Sequence, residues 1–243
     1  MLFDYRKSHL APDYGQAYER RFHENPYRSL MWELEQRVLT RIVELFYNGR
    51  TIRHLDFACG TGRILAHLEN FTTTSVGVDL SPSMLEVARQ KLERGEIIEA
   101  DITRNDVLGD RKFNLITAFR FFPNAQPQLR LQTMRQLVKH LDTDGFIVFN
   151  NHKNLSSLTY RLARLLRRRS GNYGMNITEV QNLLSEVGLK VAKIYHIGVI
   201  PSTENHRLLP RPLLRILEAA LSRCAIFHNL AQNVIFVCKC AER

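Results

Sequence analysis

Long apolar segments are missing from this sequence of 243 residues. A membrane-spanning helix needs roughly 18 consecutive apolar residues, and no stretch of the chain approaches that length. The amino terminus carries charges throughout and lacks the apolar core of a secretory signal. Cysteine is scarce, with four residues in the chain, which favours reduced thiols over a disulfide framework. We therefore expect a cytoplasmic protein.

A metal-binding cluster is also missing. Cys238 and Cys240 lie two residues apart in a strand-like run, so both thiols should point to the same face. A metal site would need further ligands, and none can be assigned to this pair. We expect no metal, and we interpret the two cysteines as small buried side chains.

Acidic residues are absent between Gly145 and Thr178, although the segment contains six basic residues. The whole chain has 34 Lys and Arg residues against 24 Asp and Glu residues. The uneven spacing therefore predicts a local cationic surface rather than a uniformly basic protein.

The basic segment has the pattern of an amphipathic helix over residues 155–169, with leucines on one face and arginines on the other. Three interpretations remain open. In the first the arginines are only solvated, in the second they contact a phosphate-bearing acceptor or an anionic membrane, and in the third they bind RNA. No recognised RNA module accompanies them, so nucleic acid is the least favoured partner.

Strand-like apolar runs alternate with helical patterns along most of the chain. Predicted helix starts include Ser81 as the N-cap before Pro82 and Thr178 as a later N-cap, while Asp144-Gly145 is predicted to be a turn. This alternation predicts a doubly wound, mostly parallel sheet of seven strands. The predicted strands are residues 52–57, 74–79, 97–100, 113–119, 146–149, 190–200 and 233–240.

The first strand ends in a glycine turn, Gly60-Thr61-Gly62, which is followed by apolar residues at helical spacing. In this arrangement backbone N–H groups at a helix start face a bound ligand, and glycine permits close approach. Asp79 ends the second strand, where a Rossmann-type fold contacts ribose hydroxyls. Leu65 replaces the third glycine of a dinucleotide fingerprint, and no Gly-Lys-Ser/Thr sequence follows. These features predict a nucleoside-containing ligand.

Four motifs in order resemble class I S-adenosylmethionine-dependent methyltransferases. They are Asp56-x-x-x-Gly60-x-Gly62, Asp79, Asp101-Ile102 and the fourth strand, Phe113-Asn114-Leu115-Ile116. The resemblance covers roughly residues 50–151, and the last two strands fit the closing antiparallel hairpin of that family. It implies S-adenosylmethionine as cofactor and S-adenosylhomocysteine as product.

The resemblance also assigns cofactor contacts. Gly60 and Gly62 would hold the methionine part, and Asp56 would fix the turn and meet the amino group. Ala58 stands where the family usually has its first glycine, and we expect it to be tolerated because alanine is small. The remaining contacts are Asp79 to the ribose hydroxyls, Leu80 and Met84 beside the adenine, Asp101 and the Ile102 backbone at the adenine amino group, and Phe119 and Arg120 facing the methyl group and the acceptor.

Hydroxyl and amine acceptors usually lose a proton when they are methylated. We therefore expect a general base near the carboxyl ends of the strands. His152, directly after the fifth strand, is the best-placed candidate, and the alternative is a surface or capping histidine. His23 and His206 are further candidates from the covering segments. Arg28 is a candidate partner for the cofactor's carboxylate, and Arg120 a candidate catalytic residue.

The chain is predicted to form one domain, residues 1–243. Residues 1–50 form a helical cover, residues 51–151 the cofactor-binding core, and residues 152–175 and 201–230 inserted helical segments that build the acceptor pocket. In the cover, a helix is predicted from Ser29 to a C-cap at Asn48-Gly49, and Asn25-Pro26-Tyr27 is interpreted as a turn. The alternative for this helix is a surface position without ligand contact.

These observations favour methyl transfer to a hydroxyl or amine of a small molecule, sugar or lipid-linked precursor. The 155–169 helix would then allow peripheral contact with a membrane. RNA methylation is the alternative enzyme function, and a methyltransferase-like binding subunit without turnover is the alternative from another class. A nicotinamide oxidoreductase is the least favoured.

Overall fold

A single mixed sheet of seven strands organises the protein. The structure is a computed structural model that describes residues 5–7, 10–158, 160–161, 174–200 and 210–241. The strands are β1 (Arg53–Phe57), β2 (Thr74–Asp79), β3 (Glu96–Glu99), β4 (Phe113–Ala118), β5 (Leu141–Asn151), β6 (Leu189–Ile197) and β7 (Asn233–Cys240). The strand order is β3-β2-β1-β4-β5-β7-β6, in which β7 runs antiparallel to both β5 and β6 and the other pairs are parallel. The predicted sheet and its closing antiparallel hairpin are therefore confirmed.

Helices cover both faces of the sheet. Among the described residues the α-helices are α1 (Tyr14–Glu24), α2 (Pro26–Tyr47), α3 (Arg63–Leu68), α4 (Pro82–Arg89), α5 (Pro127–Lys139), α6 (Ile177–Glu186) and α7 (Arg211–Leu221), and 3-10 turns span Tyr5–Lys7, Glu69–Phe71 and Ala225–Leu230. Successive β4 residues show the two sides, because Leu115 packs in a core with α2 while Ile116 packs in a core with α5 and α6.

The interpretation of Asn25-Pro26-Tyr27 as a turn is wrong. Asn25 is the N-cap of α2, and its side-chain oxygen accepts the backbone N–H groups of Tyr27 and Arg28 at 3.0 and 3.1 Å. Pro26 takes the first helical position, where no amide donor is needed. The apolar pattern begins only at Leu30 because the first helical turn is held by its cap rather than by core packing.

The predicted turn at Asp144-Gly145 is also wrong, because β5 continues through it. A Cβ at Gly145 would lie 3.0 Å from the backbone oxygen of Asn114, so the missing side chain lets β5 approach β4 closely. The pairing shifts register at this point, between Phe113 and Leu115.

The N-cap of α6 is Asn176 rather than Thr178. Asn176 accepts the N–H of Glu179 at 2.8 Å, and Glu179 accepts the N–H of Asn176 at 2.7 Å. This reciprocal capping box satisfies two amides at once, which a threonine inside the first turn cannot do.

The carboxyl-terminal predictions have mixed outcomes. Helix α7 lies within residues 201–230, where an inserted helical segment is predicted. Cys238 is buried as expected, but Cys240 is exposed because it lies at the end of β7. Within the predicted 155–169 helix, positions 158, 160 and 161 are helical, and residues 162–169 lie outside the described residues. No helix in the described parts of the chain has the length and apolar character needed to cross a membrane.

We predict that His54 in β1 makes the fold acid-sensitive. The side chain has no exposed surface, and its Nε2 atom lies 2.8 Å from the Thr117 hydroxyl. Burial lowers the pKa of His54 from 6.5 to about 3, so between these values the unfolded chain binds more protons. The free energy of unfolding should therefore fall as the pH drops through this window, by at most about 1.4 kcal/mol per pH unit from this group.

Urea unfolding of the wild type and of His54→Asn between neutral and acidic pH measures this effect. The variant should lose less stability on acidification, because it carries no group to protonate there. Leu55→Ala, a neighbouring core change without a titratable group, should lower stability and keep the wild-type pH slope. Equal slopes in the wild type and His54→Asn would contradict the prediction.

Candidate active site

A cavity of about 270 Å³ opens at the carboxyl ends of β1, β2 and β4, beneath α1 and α2. Parallel doubly wound sheets place ligands at this edge. The cavity brings together most of the predicted site residues. Those that line it are Arg28, Asp56, Ala58, Gly60, Asp79, Leu80, Met84, Asp101, Phe119, Arg120 and His152.

Two other predicted contact residues, Ile102 and Gly62, are not among the residues that line the cavity. Ile102 has a side chain buried in the core beside α5, so only its backbone is near the cavity-lining Asp101 and Thr103. Gly62 lies behind the lining, where a Cβ would come within 2.9 Å of the Ala88 side chain. The missing side chain at Gly62 therefore lets α3 pack closely against α4.

The turn after β1 is a left-handed backbone path. Ala58, Gly60 and Gly62 have φ angles of 54°, 54° and 73°. This region costs an L-residue with a side chain roughly 1–2 kcal/mol, which explains the preference for glycine at such positions. Ala58 adopts this conformation although it carries a Cβ, so the backbone of the turn is strained at this position.

Asp79 ties this turn to the next helix. Its Oδ2 atom accepts the Gly60 N–H at 2.8 Å, and its Oδ1 atom accepts the Ser81 N–H at 2.9 Å. Ser81 in turn caps α4, as predicted. A carboxylate can accept about four hydrogen bonds, so Asp79 combines a structural role with its predicted position for ribose hydroxyls.

Asp56 is a buried carboxylate with one unsatisfied oxygen. Its Oδ1 atom accepts the Thr117 hydroxyl at 2.6 Å, while Oδ2 is buried without a hydrogen-bond partner among the described residues. Burial raises the pKa of Asp56 to about 7, and the neighbouring Asp79 adds to the increase. A cationic group in the cavity would stabilise the ionised form, which fits the predicted contact with the cofactor's amino group.

Asp101 is held by the amino-terminal segment. The Arg6 Nε atom donates to its Oδ2 atom at 2.8 Å, and the Thr103 N–H donates to Oδ1 at 2.9 Å. Burial opposes ionisation of Asp101, but the bonds from Thr103 and Arg6 outweigh it and lower the pKa. Arg6 also donates to the Thr103 hydroxyl at 2.7 Å. No sequence pattern indicates the contact of Arg6, because its partner Asp101 is 95 residues away.

The other end of the cavity contains a buried ionic group centred on Glu35 of α2. Its Oε1 atom accepts from Asn150 Nδ2 at 3.1 Å and from Asn233 Nδ2 at 2.9 Å, and Arg120 Nη2 lies 3.6 Å away. Arg120 adopts a left-handed φ of 61°, and its N–H donates to Asn150 Oδ1 at 2.6 Å. The sequence signal for Glu35 was a charged residue within the apolar face of α2.

His152 lies at this same end. Its Nδ1 atom is buried without a partner among the described residues. Burial lowers the pKa of His152 well below 6.5, and the charges of Arg120, Lys153 and Arg28 lower it further. The imidazole is therefore neutral at physiological pH. Of the alternatives, His23 is exposed on α1, bonded to Glu19 and outside the cavity lining, and His206 lies outside the described residues.

Arg63 and its aromatic surroundings were also missed. The Arg63 Cζ atom lies 3.3 Å from the Phe22 ring centroid and within 6 Å of the Tyr18 and Trp32 rings. These rings come from α1 and α2, at least 31 residues earlier in the chain, so spacing gives no indication of the contact.

Part of this chain is similar in sequence to known methyltransferases. Residues 55–145 match the family model described as a methyltransferase domain. The chain is 33% identical over 120 residues to the demethylmenaquinone methyltransferase of Thermotoga maritima, an alignment that covers 46% of this chain and 50% of that protein. The chain thus spans about half the length of the curated relatives it matches.

Solved structures extend the comparison to the whole fold. The magnesium protoporphyrin IX methyltransferase of Synechocystis, with bound S-adenosylhomocysteine, aligns with a TM-score of 0.66 over 93% of this chain and 94% of that one, at 12% identity. A methyltransferase from Archaeoglobus fulgidus that depends on S-adenosylmethionine aligns with a TM-score of 0.59 over 86% and 94%, at 17% identity.

The matched residues 55–145 include the glycine turn and Asp79, which line the cavity. The solved structures have the same fold. S-adenosylmethionine is the cofactor of the family to which they point. Residues 55–145 of this chain therefore match a methyltransferase domain, and the chain has the fold of methyltransferases that use S-adenosylmethionine.

Proposed function

We propose that the protein transfers the methyl group of S-adenosylmethionine to a hydroxyl or amine of a small molecule, which includes sugars and lipid-linked precursors. The observation that carries the proposal is one continuous cavity. It joins the glycine turn and Asp79 at one end to Arg120 and His152 at the other. Two similar proteins are named for small acceptors, demethylmenaquinone and magnesium protoporphyrin IX.

The residues at the turn fit S-adenosylmethionine. The unsatisfied Oδ2 atom of Asp56 is suited to a cationic amino group, and Asp79 lies where ribose hydroxyls would meet it. When bound, the cofactor supplies a methyl group already activated by a sulfonium. The protein's part is then to align donor and acceptor and to exclude water.

His152 is proposed to take the acceptor's proton. It is neutral, so one ring nitrogen has a lone pair, and its buried Nδ1 atom lacks a partner among the described residues. Because His152 is a weak base, it can take the acceptor's proton only while the methyl group is being transferred, when that proton becomes more acidic. This is general base catalysis. Arg120 beside it would stabilise negative charge on the acceptor.

Cytoplasmic location and peripheral membrane contact belong to the same proposal. The arginines that would contact an anionic membrane lie mostly at positions 164–169, outside the described residues.

RNA methylation and a binding subunit without turnover remain the alternatives. A tritiated-methyl transfer assay on cell extract, separated into lipid, RNA, protein and small-molecule pools, tests all three. Label in the small-molecule or lipid pool is expected, label in RNA would favour the first alternative, and no label despite cofactor binding would favour the second.

Asp79→Ala should weaken binding of S-adenosylhomocysteine at least tenfold. The change removes charge-assisted hydrogen bonds to hydroxyls, worth about 1.5–3 kcal/mol each, and releases the Gly60 and Ser81 amides. Calorimetric titration measures the affinity, and thermal unfolding confirms that the variant folds. Asp110→Ala removes an exposed carboxylate and is the matched control. Unchanged affinity in the folded Asp79 variant would disprove the ribose assignment.

His152 should stay neutral through the pH range in which an unperturbed histidine titrates. Its folded pKa is depressed, so the imidazole gains a proton only when the pH falls well below 6.5. Nitrogen NMR of selectively labelled histidine, with His152→Gln to assign the signal, measures this directly. His152→Gln should lower methyl transfer at least tenfold and leave S-adenosylhomocysteine affinity within twofold. A His152 signal that titrates near pH 6.5 would contradict the assignment.

A further inference from the structure

Two arginine side chains lie against one buried aromatic ring. The Cζ atoms of Arg63 and Arg120 are 3.3 and 5.5 Å from the ring centroid of Phe22, whose exposed fraction is 1%. The two residues are brought together from the start of α3 and the end of β4. Both line the cavity.

The two arginines differ in how their charges are balanced. Arg120 has a carboxylate partner, since Glu35 lies 3.6 Å away. Arg63 has no carboxylate within 4.0 Å among the described residues, and its Nη2 atom donates only to the Tyr18 hydroxyl, at 3.3 Å. Its Nη1 atom is buried without a hydrogen-bond partner in the same part of the chain. Leaving a buried guanidinium nitrogen without a hydrogen-bond partner or an adjacent carboxylate costs free energy, and an anionic ligand would supply the missing partner.

Cationic side chains outnumber carboxylates at the surrounding end of the cavity, where three arginines line the wall together with Glu35. Burial lowers the pKa of Arg63 and Arg120 lowers it further, whereas Tyr18, Glu35 and Glu19 oppose the decrease. The charges of Arg120, Lys153 and Arg28 likewise disfavour protonation of His152. Carboxylates are concentrated at the opposite end, where Asp56, Asp79 and Asp101 line the wall.

We propose that Arg63 binds an anionic group of the methyl acceptor, so that the acceptor is a small molecule carrying a carboxylate or phosphate. This inference rests on the proposed function and narrows its substrate class. Guanidinium groups form strong paired hydrogen bonds with such anions. The rings of Tyr18 and Trp32 beside Arg63 would contact an apolar body attached to the anion.

The cofactor does not remove the need for this anion. S-adenosylmethionine carries a sulfonium, an ammonium and one carboxylate, so its binding adds a net positive charge to the cavity. An anionic acceptor would offset that charge in a site of low dielectric constant. Arg63 is also held by α1 and α2, which cover the end of the cavity containing Arg120 and His152.

The test compares small aromatic probes that differ in charge, of which benzoate and benzamide have nearly equal shape. Benzoate, phenyl phosphate and the neutral benzamide are titrated calorimetrically into the full-length protein saturated with S-adenosylhomocysteine. The wild type should bind both anions at least tenfold more tightly than benzamide. Arg63→Gln should abolish this preference and leave S-adenosylhomocysteine affinity within twofold. Arg63→Lys should retain part of the preference, because it keeps the positive charge but loses the planar guanidinium that forms paired hydrogen bonds. The control Arg41→Gln changes an exposed residue of α2 and should bind the probes as the wild type does.

Three results would overturn the inference. One is an absence of anion preference in the wild type, which needs no variant to fold. Another is an unchanged preference in Arg63→Gln. The third is a loss of S-adenosylhomocysteine affinity in Arg63→Gln without a loss for 5′-methylthioadenosine, because the anion would then be the cofactor's own carboxylate. Failure of the wild type to bind S-adenosylhomocysteine would instead refute the proposed function itself.

Discussion

The hydrogen bonds of Asp79 to Gly60 and Ser81 are the interaction on which the site depends. They connect the turn after β1 to the start of α4 through the last residue of β2. The left-handed backbone at Ala58 and Gly60 is strained or entropically costly when isolated, and these bonds help to hold it. One carboxylate thereby shapes the surface on which the nucleoside part of a cofactor would lie.

Glu35 has a comparable role at the opposite end of the cavity. It connects α2 with Asn150 at the end of β5, Asn233 at the start of β7 and Arg120 after β4. The amino-terminal cover is thus attached to the sheet edge by buried polar bonds as well as by apolar packing. Removing one partner of such a group leaves another charge unsatisfied, so the arrangement strongly fixes where Arg120 lies.

The cavity therefore has two electrostatically different ends. Three aspartates line the end that would receive a cationic cofactor. Two arginines and a neutral histidine line the end assigned to the acceptor, where Glu35 lies beside Arg120. Methyl transfer from a sulfonium requires mainly alignment and exclusion of water. A fixed charge pattern in a cavity of this size is suited to both tasks. It also makes the charge of the acceptor a property that binding experiments can measure.

The sequence by itself determined the sheet, the glycine turn and the acidic residues that end β2 and follow β3. These features are local, because a strand pattern, a left-handed turn and an N-cap such as Ser81 each depend on a few consecutive residues. The turns predicted from the sequence at Asn25 and Gly145 are absent. At Asn25 a helix cap overrides the turn propensity of Asn-Pro, and at Gly145 a close contact between strands overrides that of Asp-Gly. Only the tertiary structure decided the acceptor end, where Glu35 meets Asn233 across 198 residues and Arg63 packs on Phe22. Buried ion pairs and aromatic contacts between distant elements have no period along the chain, so only folding brings them together.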